Sequence, residues 1–184
     1  MSSRHEFPYL AGYPEKIHVQ VRSLLPGGEL KRRLDERYPG PSTIVDDGAL
    51  RPYVLEFKNR YIKRSAPLSR IRFDDKLSAS HGALGLHTYA SRVQGARTVA
   101  KNEMRISGVF RKLPEPFLRM VVVHELAHLK EKEHSKSFYQ LCCHMEPEYH
   151  ELELDLRLYL TAKEAEENAE SDKERKDLVE AQNG

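Results

Sequence analysis

Cysteine is scarce in this chain of 184 residues: the only two, Cys142 and Cys143, are adjacent. Neighbouring cysteines seldom bridge each other, so a disulfide framework is excluded and a reducing compartment is suited. Lying in an apolar stretch after Phe138 and Leu141, they read as small core residues rather than metal ligands. Long apolar runs are missing too. None reaches 18 residues, which excludes a membrane-spanning helix, and the opening Met1-Ser2-Ser3-Arg4-His5-Glu6 lacks the apolar core of a signal peptide. The expected location is therefore the cytoplasm, with no membrane and no obligate protein partner. No internal repeat occurs, and no aromatic residues alternate regularly with the basic ones, which weighs against binding of single-stranded nucleic acid. What remains is ordinary for a soluble protein of single-domain size, with 39% hydrophobic and 32% charged residues.

Net charge is likewise small, at +2, but it is unevenly spread. Residues 51–119 carry fifteen basic side chains against five acidic, whereas residues 120–184 carry eight against sixteen. The basic middle contains Lys58, Arg60, Lys63, Arg64, Arg70 and Arg72, then Arg92, Arg97, Lys101 and Arg105. Such a block suits an anionic partner, a nucleotide or a nucleic acid. It equally suits a solvated face that pairs with the acidic C-terminal helices.

Against these absences stands one dense motif. Val121-Val122-Val123-His124-Glu125-Leu126-Ala127-His128 is followed six residues later by His134. On a helix, His124 and His128 lie about 6 Å apart along the axis and about 40° apart around it, so both imidazoles can reach one cation. Glu125 falls about 100° round the same turn, where a carboxylate can take a proton from water without being a ligand. His-Glu-x-x-His alone is a weak signal. Its setting strengthens it: Phe117 to Val123 feeds apolar residues into the pentad, and Pro114 and Pro116 suit the first turn of a buried helix. His134 matches the third-ligand spacing of His-Glu-x-x-His-x-x-Gly-x-x-His, although position 131 is Glu rather than Gly. The spacing predicts a helix, a short turn carrying His134, and a second helix capped by Ser135. Three protein nitrogens on zinc leave a fourth position open, the mark of a catalytic rather than a closed site. His144 and His150 are alternatives for the third ligand.

Elsewhere the pattern predicts helices around 17–25, 30–38 and 50–62, with Pro26-Gly27-Gly28 as a break. Alternation between Ser69 and Ser107 predicts three or four antiparallel strands, with turns at His81-Gly82 and Gln94-Gly95. Further helices are expected over Ser137 to Cys143 and Pro147 to Leu160, the latter with an apolar stripe of Leu152, Leu156, Tyr159 and Leu160. The charged segment 163–184 reads as a disordered tail.

The stretch from Pro114 to Leu160 resembles the YgjP-type, metallopeptidase-like metal-dependent hydrolases of the zincin group. So do Ala83 to Thr88, Ser91 to Gly95 and Tyr9 to Glu15. The resemblance covers nearly everything but the last twenty or so residues. Relatives carry an Arg-x-x-x-Trp-Gly-Ser-Cys-like stretch where this chain has only Ser91-Arg92-Val93-Gln94-Gly95. It implies zinc on His124, His128 and His134, with another divalent ion such as Mg²⁺ or Mn²⁺ as the alternative, and Glu125 as the acid/base. It also implies either peptide hydrolysis, as in a metalloprotease, or a nucleoside triphosphate pyrophosphatase activity favouring UTP. A non-catalytic phosphate- or nucleic-acid-binding adaptor with structural zinc is the third alternative.

The expected fold is α+β and zincin-like: N-terminal helices, a small mainly antiparallel sheet, the His-Glu-x-x-His helix and C-terminal covering helices. One domain is expected over 1–162, with 1–66 helical, 67–110 the sheet and 111–162 the metal-site helices. In zincins a strand borders the cleft, and by that resemblance Leu84 to Tyr89 or Lys101 to Ile106 would line the substrate. Arg92, Arg105 and His87 are the expected substrate-side residues, and a peptide or nucleotide is the expected substrate.

Overall fold

The computed structural model describes residues 6–77, 85–94 and 97–183. Three N-terminal helices, α1 (Glu15–Leu24), α2 (Glu29–Arg37) and α3 (Asp47–Tyr61), lead into strands β1 (Leu68–Asp74), β2 (Gly85–Gln94) and β3 (Arg97–Ser107). Helices α4 (Glu115–Ala127), α5 (Lys136–Met145) and α6 (Tyr149–Asn183) follow. Gly27 and Gly28 separate α1 from α2 with φ of +82° and +72°, a left-handed backbone that a side chain would strain. The expected turn residues His81, Gly82 and Gly95, and Leu84 of the expected cleft strand, lie outside the described residues.

The chain divides into two compact units, one of residues 1–39 and 154–184 and the other of residues 40–153. In the first, the buried Asp155 accepts a hydrogen bond from the Tyr38 hydroxyl at 2.7 Å and pairs with Arg37 at 3.1 Å, joining the end of α2 to α6. The second holds α3, the sheet, α4 and α5. The Asp46 side chain caps α3 by accepting from Ala49 N at 2.8 Å, and Asp47 accepts from Phe73 N at 2.8 Å, which fixes α3 against β1. α3 therefore belongs with the sheet rather than with α1 and α2.

The sheet is mixed, in the order β1-β3-β2. β2 pairs antiparallel with β3, but β1 pairs with β3 in parallel, which corrects the mainly antiparallel sheet expected from the sequence. Alternation gives each strand an inner face and says nothing of its neighbours. The choice is made by contacts between strands distant in sequence. Ile71 lies beside Met104 and Phe73 beside Ile106 in register, all four buried, while on the other face Arg72 donates to Glu103 at 2.8 Å and Arg105 pairs with Asp74.

α4 is buried nearly all round, through Phe117, Leu118, Met120, Val121, Val122, Val123, Leu126 and Ala127. It packs against α5, β2 and β3. Burying one such Leu or Phe side chain contributes roughly 1.5–3 kcal/mol, so this helix is a rigid platform. The two prolines mark its start as expected, with Pro114 at the cap and Pro116 in the first turn. α6 runs on to Asn183, so the stretch 163–183, expected to be a disordered tail, is helical. Its Ala, Glu and Lys content is polar enough to resemble disorder yet favours helix, and it extends a helix already nucleated at Tyr149. Among the described residues no helix is long and apolar enough to cross a membrane.

Candidate metal centre

The C-terminal end of α4 brings the histidines together. His124 lies in its last turn and His128 is its C-cap residue. The chain leaves through a turn in which Glu131 N donates to Ala127 O at 2.9 Å, then re-enters helix at Ser135, whose hydroxyl accepts from Phe138 N at 3.3 Å to cap α5. No glycine is needed at position 131 for this exit, and its side chain is used locally, with Ser137 Oγ donating to Glu131 Oε2 at 3.0 Å. The turn carries His134 back over the end of α4.

One nitrogen from each of His124, His128 and His134 lies within 4.8 Å of the others. The sequence left His144 and His150 open as alternatives to His134; both are exposed, His144 against the Tyr61 ring and His150 against the Tyr139 ring. Beneath the three imidazoles lies the ring of Phe138, with centroids 4.9, 4.6 and 4.8 Å from those of His124, His128 and His134. This fully buried ring is an apolar floor that keeps water from one side of the cluster.

Each half-buried histidine is oriented through its Nδ1. His128 Nδ1 lies 3.1 Å from the Glu131 carbonyl oxygen, so this nitrogen carries the proton and Nε2 carries the lone pair. His124 Nδ1 lies 2.6 Å from the hydroxyl of Tyr149. His124 Nε2 and His134 Nε2 then face each other at 3.1 Å. Two imidazole nitrogens this close need a shared proton or a cation, and nitrogens about 2 Å from a tetrahedral zinc would themselves be roughly 3.4 Å apart. The negative end of the α4 dipole also favours positive charge here. The donor set thus fits a borderline divalent cation.

Glu125 is buried beside this cluster, and burial pushes its carboxyl up to about 8. Burial likewise lowers the His128 imidazole below its ordinary value, which favours the neutral, ligating form. A positive charge among the imidazoles would oppose the burial of Glu125 and favour its ionised form.

The expected substrate residues lie apart in the register. His87 is opposite Met104 and Arg92 opposite Val99 on β2, while Arg105 on β3 is paired with Asp74. Sequence reasoning missed Tyr149, which lies 25 residues beyond His124. A signal was present, because Tyr149 extends the apolar stripe of Leu152 and Leu156 one turn backwards, and a buried tyrosine hydroxyl must find a partner.

Residues 6–159 match the model of the YgjP-like family, described as a metallopeptidase domain. The chain belongs to the YgjP-like family. A relative from Escherichia coli (strain K12) named UTP pyrophosphatase is 54% identical over 153 residues, covering 83% of this chain and 92% of that protein. No solved structure matches the chain. The YgjP-like family and this relative together place the chain among hydrolases, with a three-histidine site able to hold a metal ion.

Proposed function

We propose that this YgjP-like protein is a zinc-dependent hydrolase that cleaves nucleoside triphosphates, UTP among them, to the monophosphate and pyrophosphate. The observation that carries the reading is the convergence of His124, His128 and His134 within 4.8 Å beside the buried Glu125. The name of the 54% identical relative supports the substrate. Three imidazoles favour zinc over magnesium or manganese.

When bound, the cation supplies charge neutralisation at phosphoryl oxygens and makes a water more acidic. The chain does the rest. His124 and His128 present Nε2 because their Nδ1 atoms are engaged with Tyr149 and the Glu131 carbonyl. Glu125, ionised, takes the proton of the attacking water as its oxygen bonds to phosphorus. The phosphoanhydride bond breaks, and the electron pair leaves with pyrophosphate. The ring of Phe138 keeps one side of the histidines dry.

Positive charge for the triphosphate lies close by. Lys130, two residues after His128, donates from Nζ to the Arg64 carbonyl at 3.0 Å, which brings the exposed, basic Lys63-Arg64 segment beside the turn that follows α4. A peptide substrate is the second reading, favoured by one observation: β2 is an edge strand among the described residues, and α4 packs against it. An extended peptide can add to such an edge.

The test is turnover of UTP and of a peptide library by zinc-loaded protein and by Glu125→Gln. We expect UTP hydrolysis, lowered about 10²–10⁴-fold in the variant with zinc content unchanged. Peptide hydrolysis lost in the variant would select the second reading. Undiminished UTP turnover in the variant would overturn the role of Glu125, and silence toward both substrates would favour a binding role.

A further inference from the structure

Tyr149 is fully buried, yet it carries a hydroxyl that must be satisfied. The turn between α5 and α6 holds it in place. Tyr149 N donates to Glu146 O at 3.0 Å, and the buried Glu146 carboxylate accepts from Glu148 N at 3.3 Å and from Arg119 of α4. Arg119 precedes His124 by five residues on that helix, so one ion pair fixes the start of α6 to the element that carries the histidines. The Tyr149 and His124 rings lie nearly parallel, 15° between planes and 6.3 Å between centroids.

The hydroxyl lies 2.6 Å from His124 Nδ1. A phenol has one proton to give and lone pairs to accept with. With a lone pair turned to His124 Nδ1, the hydroxyl receives its N–H.

We propose that Tyr149 is a positioning residue: its hydroxyl accepts the Nδ1 proton of His124 and thereby holds Nε2, in one tautomer and one rotamer, toward His128 and His134. This rests on reading the three histidines as a metal site. His128 is oriented by a backbone carbonyl that no substitution can remove, whereas the orienting group of His124 is a side chain. Outer groups of this kind are worth about 10–100-fold in metal affinity.

The test measures zinc affinity by competition with a chromophoric chelator, and the visible spectrum of the cobalt-substituted protein, for wild type and Tyr149→Phe. We expect wild type to bind one ion, and the variant to bind it about 10–100-fold more weakly with an altered cobalt spectrum. A merely structural role would lower the thermal midpoint and leave affinity and spectrum of the folded protein as they were, which would overturn the proposal while leaving the metal site standing. Failure of wild type to bind zinc would instead overturn the metal site and the proposal with it. A second measurement needs no variant. In zinc-loaded wild type, long-range ¹H–¹⁵N correlation should place the His124 proton on Nδ1, exchanging slowly with solvent; a proton on Nε2, or one exchanging as fast as that of an exposed imidazole, overturns the assignment.

Discussion

Two charged regions of the same compact unit solve opposite problems. On the outer face of the sheet, cations meet carboxylates: Arg72 pairs with Glu103 and Asp74, Arg70 reaches Glu103 at 3.9 Å, and Arg105 meets Asp74. At the end of α4, three imidazoles converge on one another and Glu125 is buried beside them. Like groups facing each other, together with a buried acid raised by desolvation, are a local frustration that a cation would relieve. The two regions differ in what their partners face: guanidinium meets carboxylate in one, imidazole meets imidazole in the other.

Metal removal breaks the comparison most completely. Chelation should abolish turnover in wild type and zinc should restore it, whereas His128→Ala should stay inactive at equal zinc. At roughly a hundredfold excess of zinc over Kd, bound metal should stabilise wild type by about 2.7 kcal/mol and raise its thermal midpoint by about 5–10 °C. His128→Ala should gain little. A wild-type midpoint indifferent to zinc would show that the histidine cluster is no more a metal site than the sheet face is.

The ion-paired face should respond in stability instead. Asp74 is buried, accepts from Lys76 N at 2.9 Å and holds Arg105. Asp74→Asn should destabilise the protein by about 2 kcal/mol, read as a lower midpoint in urea. UTP turnover per folded molecule should stay as in wild type. A fall in turnover with the fold intact would make this face part of the site and return Arg105 to the substrate role the sequence suggested.

What the sequence disclosed follows the same division. The His124–His128 spacing at the end of α4, the prolines at its start, the Ser135 cap and the Gly27-Gly28 break are local, set by spacings of a few residues, and they appear in the structure where they were expected. The parallel pairing of β1 with β3 depends on residues about thirty apart, Ile71 with Met104 and Phe73 with Ile106, and alternation carries no record of it. The Tyr149–His124 contact was hidden for the same reason. The helical 163–183 segment was misjudged on different grounds, because composition weighs charge against apolar burial and overlooks intrinsic helix propensity.

The smallest expected effect sharpens the comparison where the two regions are hardest to tell apart, at Lys63 and Arg64. Both side chains are exposed, like many solvated basic residues, but the Arg64 carbonyl is held by Lys130 next to the turn that follows α4. If they serve the triphosphate, they act at its rim, where each charge contributes about 0.5–1 kcal/mol and is screened by salt. Lys63→Ala combined with Arg64→Ala should then raise KM for UTP about 5–20-fold, change kcat little, and flatten the dependence of kcat/KM on salt. A solvated face would leave all three unchanged. The split between KM and kcat matters because a loss in kcat would place these cations at the reacting phosphorus, the position assigned here to the histidines and Glu125.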